Sequence, residues 1–167
     1  MSEHNPYETP QATVADVAVA GEQGLAGRGQ RLGAAIIDAI IGFVAALPIM
    51  SVLGTWSYVQ RGVEPPLSAT LTSIVLGFTV FALVHGFFLK KNGQTVGKKL
   101  VGIRIVGLDE RVPTLGRLLG LRYLPVMLVS VVPVIGAFAA IVDVLFIFRS
   151  DRRCIHDLIA GTKVVVI

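Results

Sequence analysis

The sequence predicts an all-α membrane protein: a bundle of four transmembrane segments, the last two forming a helical hairpin, with a small β-hairpin-like element on the cytoplasmic surface. Three observations carry this. First, 53 % of the 167 residues are apolar and only 16 % are charged, against about a quarter charged in ordinary soluble domains. Second, the apolar residues gather in runs long enough to cross about 30 Å of hydrocarbon. Third, the basic residues fall between these runs with a strong bias to one side.

Residues 1–27 are polar and small, with four acidic groups and no Lys or Arg. They read as a disordered cytoplasmic tail. They are not a signal peptide, lacking a basic start and an apolar stretch. The remaining chain, 28–167, carries a net charge of +8. In a chain this hydrophobic, that charge points to cytoplasmic loops beside a membrane and not to nucleic acid.

The first segment spans residues 32–53, with Pro48 near its outer end. A short loop follows, in which Trp56 and Tyr58 suit a membrane interface and Pro65-Pro66 stops any helix. The second segment spans 68–89. It contains His85 and is followed at once by Lys90 and Lys91.

Then the texture changes. Turn signals at Asn92-Gly93 and Asp109-Glu110 bracket a β-branched run over 100–106, read as a short strand. GTKVVVI at 161–167 is a second such run. The two are expected to pair, supported by the helices, because an isolated two-stranded unit is weak in water.

The apolar stretch over 118–148 is long for one span. Read as two segments, 114–132 and 135–149, it folds back around Pro133 to Gly136. The charges favour this reading. Arg28, Arg31, Lys90, Lys91, Lys98 and Lys99 then share the cytoplasmic side with Arg149, Arg152, Arg153 and Lys163. Only Arg61 lies outside, and both termini are cytoplasmic.

This topology sets a depth for each buried charge. Asp38 and His85 both lie roughly 8 Å from the cytoplasmic end at 1.5 Å per residue, Asp143 roughly 9 Å, and Arg122 at a comparable level. These four groups on four segments form one layer. Asp38 and Asp143 must face the interior, near a cation or water, because a carboxylate in hydrocarbon is costly. Arg31, two turns before Asp38 on the same face, and Arg122 are the candidate partners. Ala34, Ala35, Ala39 and Gly42 keep the helix surface small around Asp38 and allow close packing.

Other groups fit a bland role better. The pair His156-Asp157 lacks a nucleophile, a metal-ligand set or an orienting third residue, so it is expected to cap a cytoplasmic element. GQTVGKK (93–99) departs from the phosphate-loop spacing and reads as a turn with a basic surface. Lys98 and Lys99, with Arg104 and Arg111, then face anionic lipid head groups. Cys154 is the lone cysteine, so no internal disulfide forms. No motif for an enzyme, cofactor or metal is present.

Arg31, Asp38 and Asp143, with GQTVGKKLVGIRIV (93–106) and RRCIHDLIAGTKVVV (152–166), resemble the RDD family of bacterial membrane proteins, named for one arginine and two aspartates. The resemblance covers residues 28–167. It assigns the arginine to Arg31 and the first aspartate to Asp38. The second is Asp143, with Asp157 as the alternative. It implies a multi-pass protein of the bacterial inner membrane, connected with transport and in some members with sodium–proton exchange. The site expected for an ion or small polar solute is then Asp38, Asp143, Arg31, Arg122 and His85. Transport through so small a bundle would favour a homo-oligomer. The alternative is a membrane scaffold or assembly factor whose buried charges only hold helices together.

Overall fold

The computed structural model describes residues 24–132 and 134–167. Most of the expected tail, and Pro133 of the expected hairpin turn, lie outside the described residues.

Two long apolar helices dominate. α1 (Arg28–Val52) carries Pro48 inside its last turns, and α3 (Leu67–Asn92) starts directly after Pro65-Pro66. Both are long and apolar enough to cross a membrane, and no residue in the most apolar stretch of either is buried within the chain. A core helix of a soluble domain buries that face. Here Ile36, Ile40, Phe43, Val75, Leu83 and Phe87 all stand exposed. Between the two helices, residues expected as loop form a short helix, α2 (Trp56–Arg61).

The segment after α3 departs from expectation. α3 ends at Gly93, which takes a left-handed conformation (φ 67°). GQTVGKK then opens a helix, α4 (Val96–Val101), where a turn was expected, and Leu100 belongs to this helix and not to a strand. The signal was present: Thr95 is an N-cap residue whose side chain accepts from Lys98 N, as such caps do. The strand β1 is shorter than expected, Ile103–Gly107.

A third apolar helical stretch follows in pieces. α5 (Leu115–Arg117) passes into a π-helical turn (Leu118–Tyr123) and then into α6 (Leu124–Ser130). Pro125 accounts for the wide turn. It has no N–H to donate, and its ring would collide with the carbonyl four residues back in a regular α-helix. α7 (Ile135–Leu145) runs into a 3-10 turn, Phe146–Phe148, and packs against α6. Gly136 permits this, since a Cβ there would lie 2.7 Å from the Ser130 carbonyl oxygen. A short helix, α8 (Ile155–Ala160), which nothing in the sequence reading anticipated, leads to β2 (Thr162–Val166).

β1 and β2 pair antiparallel, from Ile103 opposite Val166 to Gly107 opposite Thr162. Residues 24–26, counted with the tail by composition, belong to the fold instead. Leu25 bridges Val165, Ala26 N donates to the Val164 carbonyl, and Val166 N donates to the Gly24 carbonyl. Ala26, Ala34, Leu89, Ile103, Ile105, Leu118 and Val164 form one buried cluster. This is the support a small sheet needs: α1, α3 and the π-helical turn close one face of it.

Candidate functional site

Asp38 meets neither Arg31 nor Arg122. It faces the first turn of α4, whose backbone N–H groups have no partner within their own helix. Gly97 N donates to Asp38 Oδ1 at 2.8 Å, and the Thr95 hydroxyl donates to Asp38 Oδ2. Val96 N donates to His85 Nδ1 at 3.2 Å. Lys98 Nζ lies 3.8 Å from Asp38 and is largely buried, so it is not the free lipid-facing lysine expected. Lys99 Nζ sits 4.2 Å over the Phe88 ring. Two helices, α1 through Asp38 and α3 through His85, thus join the N-cap Thr95 in satisfying one helix start, and this explains the carboxylate inside an apolar helix. α4 lies so close to α1 that a Cβ on Gly97 would be 2.3 Å from the Ala34 carbonyl oxygen.

The second cluster is centred on Asp157, which is fully buried. Asp157 Oδ2 accepts from Arg31 Nη2, and Oδ1 accepts from Arg122 Nη1. The Thr162 hydroxyl adds a bond to Oδ1 at 3.0 Å and Cys154 N one to Oδ2 at 3.3 Å. Arg31 also reaches the Arg152 carbonyl, and Arg122 Nη1 reaches Thr162 Oγ1 at 2.7 Å. The network continues through His156. Its Nδ1 lies 2.7 Å from Asp143 Oδ2, and its Nε2 lies 3.2 Å from Arg122 Nη2. Because an arginine only donates, Nε2 is the acceptor and Nδ1 carries the proton. His156 N also donates to Asp143 Oδ1 at 3.1 Å.

Of the expected site residues, Arg31, Arg122 and Asp143 therefore come together, but around Asp157. Asp38 and His85 form a separate group with α4. Arg31, two turns from Asp38 on the same helix, turns to α8 instead. Asp157 caps α8 through Cys154 N and also centres the charge network, whereas the His156 side chain caps no helix and links Asp143 to Arg122. Thr95, Thr162 and Tyr123 were not singled out in the sequence. Only Thr95 carried a readable signal, as an N-cap.

Burial opposes the charge on Asp157, but the Arg122 guanidinium, and then His156 and Arg31, hold its carboxyl well below the usual range. Burial and then Arg122 push His156 down. Burial pushes the Cys154 thiol up to about 11. Each shift sets a limit on stability. Below about pH 6.5 an unfolded histidine takes up a proton that folded His156 refuses, so stability falls. The Asp157 contribution is lost further down, below about pH 3.9. Above about pH 8.5 the unfolded thiol ionises before the folded one, so stability falls again. Thermal unfolding across pH is expected to show a plateau between roughly pH 6.5 and 8.5. Cys154→Ala removes the alkaline decline alone.

Asp143, Cys154 and His156 bring possible ligand atoms within 4.8 Å of one another. Each of these ligand atoms already has a hydrogen-bond partner in the protein. Cys154 Sγ accepts from Arg31 Nη2 at 3.5 Å. A metal on His156 Nδ1 would place the ring proton on Nε2, against the Arg122 N–H, and a metal on Nε2 would displace Arg122. Two guanidiniums add repulsion. The cluster fits a hydrogen-bonded network and does not fit a cation site.

Two cavities adjoin this network. One, about 180 Å³, is lined by Phe81, Arg122, Tyr123, Met127, Asp143 and His156. The other, about 130 Å³ and almost wholly apolar, lies among α6, α7 and α8 and shares Val126, Asp143 and His156 with the first.

The sequence profile of the RDD family matches residues 25–161. The chain is 33 % identical over 135 residues to the Bacillus subtilis protein YckC, described as uncharacterized, covering 80 % of each chain. It is 32 % identical over 94 residues to an uncharacterized Haemophilus influenzae protein, covering 54 % of this chain and 56 % of that one. No solved structure matches. Membership and the two exposed apolar helices together fit a membrane protein.

Proposed function

The chain belongs to the RDD family, and from that premise we propose that it is a multi-pass protein of the bacterial inner membrane that moves an ion or small polar solute past its buried Arg/Asp network. In this reading α1 and α3 span the bilayer, the stretch Leu115–Ser130 and α7 form a membrane hairpin, and both termini are cytoplasmic. The sheet, α4 and α8 form a cytoplasmic cap, with Lys90, Lys91 and Arg111 toward anionic lipid.

The observation that carries the reading is the placement of Asp143–His156 in the wall of two cavities, directly linked to Arg122. Intramembrane carboxylates are functional by default. Asp143 is the less committed of the buried acids, since it serves one histidine while Asp157 serves two guanidiniums. A scaffold role is the second reading. It is favoured by Asp38, all of whose contacts hold α4 in place.

Purified protein in sealed liposomes tests both. Sodium, potassium and protons would be followed by dyes and neutral solutes by light scattering. Sodium–proton exchange, which the family resemblance implies, is one arm. Asp143→Asn is expected to stay monodisperse and lose flux. Absence of flux for every solute in the wild type would shift the assignment to the scaffold.

A further inference from the structure

His85 is 2 % exposed, and its ring makes one hydrogen bond. Nδ1 accepts from Val96 N, so in the neutral ring Nε2 carries the proton. Among the described residues no acceptor takes that N–H. Nor is it sealed in, since the closed-in side-chain atoms without a partner are Arg122 Nε and Tyr123 Oη. Nε2 therefore opens to a space, and the space that His85 borders is a groove between α1 and α3.

The groove runs from Ile41 and His85 to Ile49 and Gly77. At 1.5 Å per residue that is about 12 Å on either helix, most of the roughly 15 Å depth of one leaflet. Gly42 and Ala46 keep the α1 wall low. Gly42 is exposed, and a Cβ there would meet nothing within 4 Å, so the groove has an open side. It encloses about 60 Å³, room for part of a slender chain lying along it. The residues lining it carry no charge with His85 neutral, so nothing in it would hold a metal ion or a bare anion.

Depth selects the occupant. With α1 and α3 across the bilayer, Lys90 and Lys91 stand at the level of the head groups. His85 lies roughly 8 Å deeper, about the thickness of the head-group layer. A donor at that level faces the ester carbonyls of phospholipids, and the groove continues from it in the direction of their chains. An unpaired N–H in hydrocarbon is costly, and an ester carbonyl relieves it.

We propose that this groove holds one acyl chain of an inner-leaflet phospholipid, with the ester carbonyl of that chain accepting from His85 Nε2. The site rests on the membrane reading, in which α1 and α3 span the bilayer, and is independent of transport.

The test places the full chain in nanodiscs of equal parts ester and ether phospholipid, matched in head group and chain length. Native mass spectrometry then counts the lipids that stay on the protein when the disc is stripped away. The wild type is expected to retain one lipid, with the ester form favoured about fivefold, the effect of one hydrogen bond. His85→Phe removes the donor and is expected to erase that preference. Gly42→Leu fills the groove from a position with space for a Cβ and is expected to lose the retained lipid. Thermal unfolding checks the fold of both variants. If His85→Phe does not fold, since it also leaves Val96 N unpaired, the wild-type preference and the Gly42→Leu loss decide together. Equal retention of the two lipids, an unchanged ester preference in folded His85→Phe, lipid retained by folded Gly42→Leu, or a wild-type dimer free of retained lipid would overturn the proposal. A chain that stays out of the discs would remove the membrane reading and the site with it. Failure inside the discs removes the site alone.

Discussion

Asp157→Asn is expected to cost about 3–5 kcal/mol, the usual penalty for breaking a buried ion pair from one side. The asparagine keeps the shape, so packing is unchanged. What changes is charge and one acceptor: Arg31 and Arg122 remain buried around a neutral amide, whose NH2 accepts from neither guanidinium. Such a loss is of the order of a whole domain's stability, so the variant is expected to aggregate or melt near ambient temperature in detergent. The double variant Arg31→Met/Asp157→Asn tests the cause. It restores charge balance, since the one remaining arginine, Arg122, is matched by Asp143 through His156, and it should recover part of the loss. Thermal unfolding of the two single variants and the double closes the cycle. A single Asp157→Asn variant within about 1 kcal/mol of wild type would mean that water already screens the pair, and that the network does not hold α8 and β2 to α1.

Gly97→Ala is expected to cost about 2–4 kcal/mol, from overpacking and from a lost hydrogen bond at a buried carboxylate. Its Cβ would stand 2.3 Å from the Ala34 carbonyl oxygen and 2.8 Å from Asp38 Oδ1. Neither can yield, since one is α1 backbone and the other belongs to a carboxylate that Thr95 holds by its second oxygen, Oδ2. α4 must therefore move off α1, and the bond from Gly97 N to Asp38 opens with it. Gly33→Ala on α1 is the control. A Cβ there meets nothing within 4 Å, so it is expected to be neutral or to stabilise by about 0.5–1 kcal/mol through its helix propensity. Equal melting temperatures for the two variants would show that α4 is not seated against α1.

These effects separate what local sequence determines from what it does not. The apolar runs over 32–53 and 68–89 are α1 and α3 to within a few residues, because helix length and apolarity are local properties. The β-branched runs near 103 and 162 pair as strands for the same reason. Composition marked the chain for a bilayer, and spacing set how far along its segment each of Asp38, Arg122 and Asp143 stands.

The choice of partners belongs to tertiary structure. Spacing placed Arg31 on the face of Asp38, but its guanidinium engages Asp157, 126 positions along the chain. Asp38 had a stronger claim on it, the unsatisfied N–H groups opening α4, and that helix was itself legible only through Thr95. The physical reason is competition. A buried charge settles on whichever set of donors leaves the fewest groups unpaired, and that comparison runs over every element at the same depth. Position along a helix gives the depth of a charge. The rotation of each helix, and hence which charges meet, is decided only when all the elements pack.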